Sequence, residues 1–219
     1  MRSVNFDSIT RFLDAIRTEE KRREERCATL DGDIALDQLL FYDQAFLQGF
    51  YLLVLVYVWH ELEREMVRLT ARVQEGPARE ISLHDYQQEV VRLTRNKDIW
   101  KEIRRRLPVE KSDQYGLCYE VLRPLVNSYK HDPFGKPKKG LLEKLGLDAS
   151  LNYAALTESD TVREALCRRL RLPANESYSG ISDAFVRACE QLLLDATTSV
   201  ALRPIERRPA SLRPATFTR

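Results

Sequence analysis

The stretch Phe50-Tyr-Leu-Leu-Val-Leu-Val-Tyr-Val-Trp59 decides the fold class of this chain. It lies within a helical pattern that runs from about 34 to 74, and its ten residues are apolar on every face of that helix. A stretch of ten residues is too short to cross a bilayer, which takes about 20. A helix that is apolar all round is typical of the buried centre of a bundle. The stretch therefore predicts an all-α fold around a long apolar central helix, part of which is also suited to a dimer interface.

Further helices are predicted on both sides of this one. Apolar spacing and capping residues indicate them at about 5–28, 83–94, 97–107, 112–131, 141–145, 161–170 and 182–199. Pro124 lies inside one of these segments and predicts a kink or a junction there, because proline cannot continue a helix undisturbed. The chain has only 8 glycines and no evident pair of strands, which argues against a sandwich or a barrel.

The predicted organisation has three parts. Residues 1–145 are expected to form a helical bundle, 146–200 a helical C-terminal extension packed on it, and 201–219 a disordered tail. The segment from Arg203 to Arg219 contains five arginines, one glutamate and three prolines, a composition typical of disorder. The net charge of the whole chain is only +2, so local basic patches would have to bind a nucleic acid.

Several classes of site are excluded by what the sequence lacks. The widely spaced cysteines form no C-x-x-C pair, so zinc-ribbon and thioredoxin-type sites are not expected, and all four cysteines are predicted to be reduced and buried: Cys27, Cys118, Cys167 and Cys189. No glycine-rich phosphate loop and no acidic metal cluster occurs, so no cofactor and no metal are expected. The N-terminus has no apolar signal region, which predicts a cytoplasmic protein without membrane association.

The chemistry of the sequence is concentrated between Arg123 and His131, just before the basic loop 132–140. Asn127 and His131 are four residues apart and share a face if the helix continues that far, with Arg123 one turn further back. These side chains and the adjacent Lys130 suit a phosphodiester. A neutral histidine can take or return a proton, and arginine or lysine can hold the phosphate. The alternative is that His131 caps a helix C-terminus, where cations are favoured, among solvated lysines.

The segment Asn127-Ser-Tyr-Lys-His131-Asp resembles the motif of the HEPN superfamily, a set of all-helical domains. The signature of that family is an arginine, usually followed by a polar residue, and then a histidine late in a helix. The resemblance covers one helix and its loop, and more loosely the region from the second helix to 140. It implies a metal-independent endoribonuclease of a prokaryotic defence or toxin–antitoxin system, acting on RNA as a homodimer in which two motifs form one site. It also implies that His131 is the general base or acid, that Lys130 and Arg123 bind phosphate, and that Asn127 orients the site.

Arg123 departs from the pattern of the family in two ways. Seven residues separate it from His131, more than the family usually has, and it is followed by Pro124 where a polar residue is usual. Either Asn127 and Lys130 take over its binding role, or the domain is an inactive relative that only binds or dimerises. Functions of another class also stay open: a non-catalytic helical subunit that assembles through the apolar helix or the basic tail, or a nucleic-acid-binding regulator.

Three other groups of residues are less informative. His60-Glu61 begins like a zinc-protease motif but lacks the second histidine of H-E-x-x-H, so a boundary residue beside a charged face is the simpler interpretation. The run Arg104-Arg-Arg106 is suited to phosphate contacts, yet charge runs usually face water. His84 follows a predicted helix cap at Ser82 and is assigned no role.

Overall fold

A computed structural model describes residues 6–27, 33–73, 80–131, 139–148 and 160–205 of the chain. The side chains at 33–50 and 128–131, and at a few isolated positions, lie outside that description. Most of the described residues are helical, and none of them forms a strand beyond two isolated β-bridges. The all-α fold class predicted from the sequence is therefore confirmed.

The helices begin and end within a few residues of the predicted positions. They are α1 (Phe6–Cys27), α2 (Asp33–Thr70), α3 (Leu83–Thr94), α4 (Ile99–Arg106), a 3-10 turn (Val109–Lys111), a π-helix (Gly116–Leu122), α5 (Arg123–His131), α6 (Lys139–Leu145), α7 (Asp160–Leu170) and α8 (Tyr178–Thr198). The predicted cap of α3 is present, since the Ser82 hydroxyl accepts a hydrogen bond from the Asp85 N–H at 3.1 Å. Helix α2 is continuous over 38 residues.

The hydrophobic core is shared by helices from both ends of the chain. Helix α2 contacts α1, α3, α4, α5 and α8, and the contacts between α2 and α8 are the most extensive. Leu62 of α2 and Phe185 of α8 are both fully buried in one hydrophobic cluster. Because α8 belongs to this cluster, the predicted bundle (1–145) and extension (146–200) share a core.

The apolar stretch of α2 is buried on one side and open on the other. Val54 and Val58 lie in the core, whereas Leu53 is 49% exposed and Tyr57 is 50% exposed. Leu53 and Tyr57 are four residues apart and lie on one face of the helix. Within one chain the apolar stretch is therefore buried on one side only, and the alternative of a partial dimer interface stays a prediction. None of the described helices has the combination of length and apolar character that crossing a membrane requires.

A polar group joins α1, α2 and α8 beside the core. Arg17 donates a hydrogen bond to Ser179 Oγ at 2.5 Å and forms an ion pair with Asp183. The Tyr51 hydroxyl donates to a Glu20 carboxylate oxygen at 2.7 Å. Burial and the bond to Glu20 raise the pKa of Tyr51, which keeps its hydroxyl protonated as a donor. These contacts fix the orientation of α1 against α8.

The described cysteines are buried and free, as predicted: Cys118, Cys167 and Cys189. The Sγ atoms of Cys118 and Cys189 lie 3.7 Å apart, where the π-helix contacts α8. Burial raises the pKa of Cys189 well above its ordinary value, so this thiol stays protonated. The side chain of Cys27 lies outside the described residues.

The first five residues of the predicted tail are ordered. Leu202 forms an antiparallel β-bridge with Val73, and Ile205 forms a parallel one with Ile81. These contacts tie the chain beyond α8 to the segments on either side of the α2–α3 connection. The start of the predicted tail, 201–205, thus contacts the helical part of the chain, and the rest of it, 206–219, lies outside the described residues.

Candidate functional site

The segment that carries the predicted site changes helix type next to Pro124. The π-helix ends at Leu122, and the Arg123 N–H bonds to the carbonyl of Cys118, five residues earlier, as a π-turn requires. Proline has no N–H, and in a helix interior its ring clashes with the carbonyl four residues back. It is tolerated in the first turn of a helix, which is where α5 places it. The junction predicted at Pro124 is therefore observed, as a change from π- to α-helix.

Helix α5 continues as far as His131, as is required for Asn127 and His131 to lie on one helix face. Arg123, Asn127 and His131 occupy positions i, i+4 and i+8 of one continuous helix and form a single row. Asn127 is half-buried. Lys130 also belongs to α5, but its side chain and that of His131 lie outside the described residues, as do residues 132–138 of the predicted basic loop. The structure thus brings three of the four predicted residues onto one face at the level of the backbone.

The Arg123 side chain extends toward the N-terminal end of this row. Its Cζ atom lies 4.8 Å from the centroid of the Tyr119 ring, within the range of a cation–π interaction. Long side chains in helices lean toward the helix N-terminus, and Tyr119 lies one turn in that direction. The Arg123 guanidinium is therefore held on an aromatic ring, away from the end of α5 at His131.

Tyr119 belongs to a row of four aromatic rings that no motif of the sequence reveals. Ring centroids lie 5.0 Å apart for Trp59 and Trp100, 5.1 Å for Trp100 and Tyr119, and 5.1 Å for Tyr119 and Tyr115. These separations are typical of favourable aromatic pairs. The two tryptophans are buried and the two tyrosines are half-buried, so the row leads from the core to the surface.

The three arginines of the run in α4 have different surroundings. Arg104 lies over the Tyr119 ring, with its Cζ atom 5.5 Å from the centroid. Arg105 and Arg106 instead form ion pairs with Glu102, at 2.8 and 2.7 Å. Hydrogen bonds from these two arginines lower the pKa of Glu102 to about 2. The run is thus no uniform basic patch, because Arg104 lies with Arg123 on a tyrosine and pairs with Glu110 at 3.3 Å, whereas its two neighbours share Glu102.

Arg104, Tyr115, Tyr119 and Arg123 together form what we call the Arg–Tyr cluster. Burial raises the pKa of Tyr115, and the nearby Arg104 partly opposes this rise. The Tyr115 hydroxyl therefore stays protonated at physiological pH beside the positive charge of Arg104. Among the side chains that the structure describes, no carboxylate pairs with Arg123. The spacing of Tyr115, Tyr119 and Arg123, each four residues from the next, is the signal by which the sequence could have revealed three of the four members of the cluster.

The other histidines singled out from the sequence lie on different surfaces. His60 is exposed on α2 and lines a groove of about 190 Å³ with Arg64 and Thr94. His84 is exposed on α3 and shares a hydrogen bond of 2.8 Å with Gln88. In the described part of the chain, no three His, Cys, Asp or Glu side chains come together as a set of metal ligands.

Comparisons with known proteins add no family assignment. No protein-family model matches the chain, and no curated protein and no solved structure matches it either. A functional interpretation therefore depends on the residues of α5 and on the contacts around them.

Proposed function

We propose that the chain is a HEPN-like, RNA-directed protein of a prokaryotic defence or toxin–antitoxin system, with a metal-independent endoribonuclease site on α5. The observation that carries this proposal is the continuous helix from Arg123 to His131, which aligns Arg123, Asn127 and His131 in one row. An all-α architecture with a long α2 is compatible with a HEPN-like bundle. We propose that the protein acts in the cytoplasm.

The proposed reaction is a transesterification within the RNA strand. Neutral His131 takes the proton of a ribose 2′-hydroxyl, whose oxygen then attacks the adjacent phosphorus. The bond from phosphorus to the 5′-oxygen of the next nucleotide breaks, and the leaving oxygen receives a proton from a histidinium. The products are a 2′,3′-cyclic phosphate and a 5′-hydroxyl. In this scheme Lys130 stabilises the charge that develops on the phosphate, and Asn127 orients the reacting groups.

Arg123 is suited to a phosphate other than the one that is cleaved. His131 follows Arg123 by eight positions of α5, which corresponds to about 12 Å along the helix axis. Its guanidinium is held on Tyr119 in the direction opposite to His131. We therefore propose that Lys130 and Asn127 hold the scissile phosphate, and that Arg123 holds a phosphate of a neighbouring nucleotide.

A homodimer is part of this proposal. Leu53 and Tyr57 expose an apolar strip on α2, and exposed apolar surface favours association. We expect sedimentation to show a dimer for the wild type and a shift toward monomer for the double variant Leu53→Ser, Tyr57→Ser. Val91→Ser, at an exposed apolar position on α3, is the matched control and should remain dimeric. A wild-type protein that is monomeric at every concentration would contradict the dimer.

Cleavage of labelled RNA by purified protein tests the nuclease assignment. General acid–base catalysis typically contributes 10²–10⁴-fold, so we expect His131→Ala to lower cleavage by roughly that factor. His84→Ala is the matched control, since it removes an exposed histidine that has no role in the proposed site. Equal cleavage by the wild type and His131→Ala, or cleavage by neither, would remove the nuclease assignment.

The second candidate is a non-catalytic subunit that assembles with a partner or binds nucleic acid as a regulator. The open strip of Leu53 and Tyr57 favours it, because an assembly surface needs no reactive group. RNA binding without cleavage, in a protein that keeps its oligomeric state when His131 is replaced, would support this candidate over the nuclease.

A further inference from the structure

We infer that the Arg–Tyr cluster is a binding surface for single-stranded RNA, in which Arg104 and Arg123 hold phosphate oxygens and an unpaired base stacks at the tyrosines. The inference rests on the proposed function and specifies it. The Arg–Tyr cluster is then the surface that holds the RNA beside the α5 site, and the bound strand is unpaired.

Two guanidinium groups converge on one ring from different elements of the fold. Arg104 comes from α4 and Arg123 from the start of α5, and both lie within about 6 Å of the Tyr119 centroid. Both groups are positively charged, and among the described side chains no carboxylate pairs with Arg123, while Arg104 has only Glu110. Phosphate oxygens of a nucleic acid are suited to such sites, because arginine matches their geometry especially well.

The one carboxylate described next to Arg104 is easily displaced. Glu110 lies 3.3 Å from Arg104, and the two side chains are 57% and 37% exposed. Exposed ion pairs of this kind contribute little to stability, because water already solvates both groups. An incoming phosphate can therefore replace Glu110 at small cost.

The neighbouring arginines, Arg105 and Arg106, are bound closely by glutamate side chains. Arg106 is largely buried and pairs with Glu89 at 3.0 Å and with Glu102 at 2.7 Å. Arg105 is bound to Glu102 through two hydrogen bonds of 3.0 and 2.8 Å.

Arg104 has only looser contacts, since its Nε–H donates to the Trp100 carbonyl at 3.3 Å and its Nη1–H to Glu110 at 3.3 Å. Arg123 lies on the Tyr119 ring, and no described carboxylate pairs with it.

The tyrosines are supported from behind by buried rings. Tyr119 contacts Trp100, which is itself stacked on Trp59 and donates a hydrogen bond to Glu63 at 2.7 Å. Tyr115 stacks on Tyr119 at the surface end of the row, with an interplanar angle of 13°. A fixed aromatic surface beside positive charge is the combination by which proteins bind single strands. Bases in a duplex have their faces covered, so the surface selects unpaired RNA.

The test measures RNA affinity in a protein that does not cleave, so that binding and chemistry are separated. A short labelled oligoadenylate is titrated with His131→Ala protein at a fixed salt concentration. Adding Arg104→Ala or Tyr115→Ala should weaken binding about tenfold, the order expected from one lost stacking or phosphate contact. Tyr115→Phe should bind within about twofold of the parent, because the ring remains.

Arg105→Ala is the matched control, since it removes the same charge from the next position of α4. It should change the affinity by less than about twofold, because Arg105 is bound to Glu102 and not to the tyrosines. Thermal unfolding of each variant identifies any loss of folding, and Arg104→Lys replaces Arg104→Ala if the latter does not fold. Lysine keeps the charge but not the planar group, so it too should bind more weakly than the parent.

Three results would overturn the inference. The first is equal affinity for Arg104→Ala, Tyr115→Ala and Arg105→Ala, which would still leave the nuclease proposal standing if the wild type cleaves RNA and His131→Ala does not. The second is that Arg104→Ala and Tyr115→Ala weaken binding of an RNA duplex as much as binding of the single-stranded oligoadenylate. That result would show phosphate contact without stacking. The third is the absence of any RNA binding by the His131→Ala protein.

Discussion

The two ends of the segment from Tyr115 to His131 hold their chemical groups in different ways. At the C-terminal end, Asn127, Lys130 and His131 are neighbours along one helix, and their spacing in the sequence is enough to single them out. At the N-terminal end, Tyr119 meets Arg104 of α4, a group that is distant in sequence. The comparison teaches that a short motif reveals groups on one element, whereas a cluster between elements becomes visible only when those elements are packed together.

The largest expected effect concerns Trp100, whose buried ring packs against Tyr119 at the N-terminal end of the segment from Tyr115 to His131. Replacing Trp100 by alanine removes a buried ring that stacks on Trp59 and leaves Glu63 without its indole partner. We expect the free energy of unfolding to fall by about 3–5 kcal/mol, as for other buried aromatic residues. Urea unfolding followed by circular dichroism measures this change. Val91→Ala, at a residue 47% exposed, is the control and should stay within about 0.5 kcal/mol of the wild type.

A fall in the free energy of unfolding below about 1 kcal/mol for Trp100→Ala would contradict the difference between the two ends of the segment. It would mean that the aromatic row is loosely held, and that the N-terminal end is no more preorganised than a surface patch.

A smaller effect is expected at the junction between the two ends. Pro124→Ala restores flexibility to the unfolded chain at a position where proline already fits the first turn of α5. We therefore expect the free energy of unfolding to fall by about 0.4–1 kcal/mol, the size typical of a compatible proline. The same urea experiment measures it. A stabilised variant would show that proline strains the change from π- to α-helix instead of favouring it.

The smallest effect concerns the arginines of α4 that lie outside the cluster. The pKa of Glu102 is lowered from 4.5 to about 2 in the folded protein, so the unfolded chain binds a proton at Glu102 more readily. The stabilisation is fully present above pH about 4.5 and is lost as the pH falls toward about 2. Glu102→Gln should flatten the decline in stability over this window. Unfolding curves of both proteins across the window measure it, and identical acid sensitivity would contradict the ion pairs of Arg105 and Arg106.

The fold was largely predictable from local signals. The Ser82 cap and the stop at Pro108 act within one helical turn, so they mark the ends of α3 and α4 from sequence alone. The open strip at Leu53 and Tyr57 was not predictable, because apolar character does not reveal which faces of a helix meet another helix. The contacts at the start of the tail were not predictable for a related reason, since Leu202 and Ile205 pair with Val73 and Ile81, which are distant in sequence.

The candidate site was predictable only in part. Helical spacing predicted the row of Arg123, Asn127 and His131, and α5 continues far enough for its backbone to form that row. Spacing did not predict that Arg123 lies on Tyr119, nor that Arg104 reaches the same ring. Both contacts depend on how α4 lies against the π-helix, which no motif within a single helix encodes.

The central claim is that His131, at the end of α5, performs the chemistry on RNA that the rest of the segment binds. The most direct test is the single-turnover rate of RNA cleavage at saturating RNA, measured for the wild type and for His131→Ala. We predict a fall in that rate of at least about 10²-fold, with an RNA dissociation constant that changes by less than about twofold. A saturated rate that is the same in both proteins would contradict the claim.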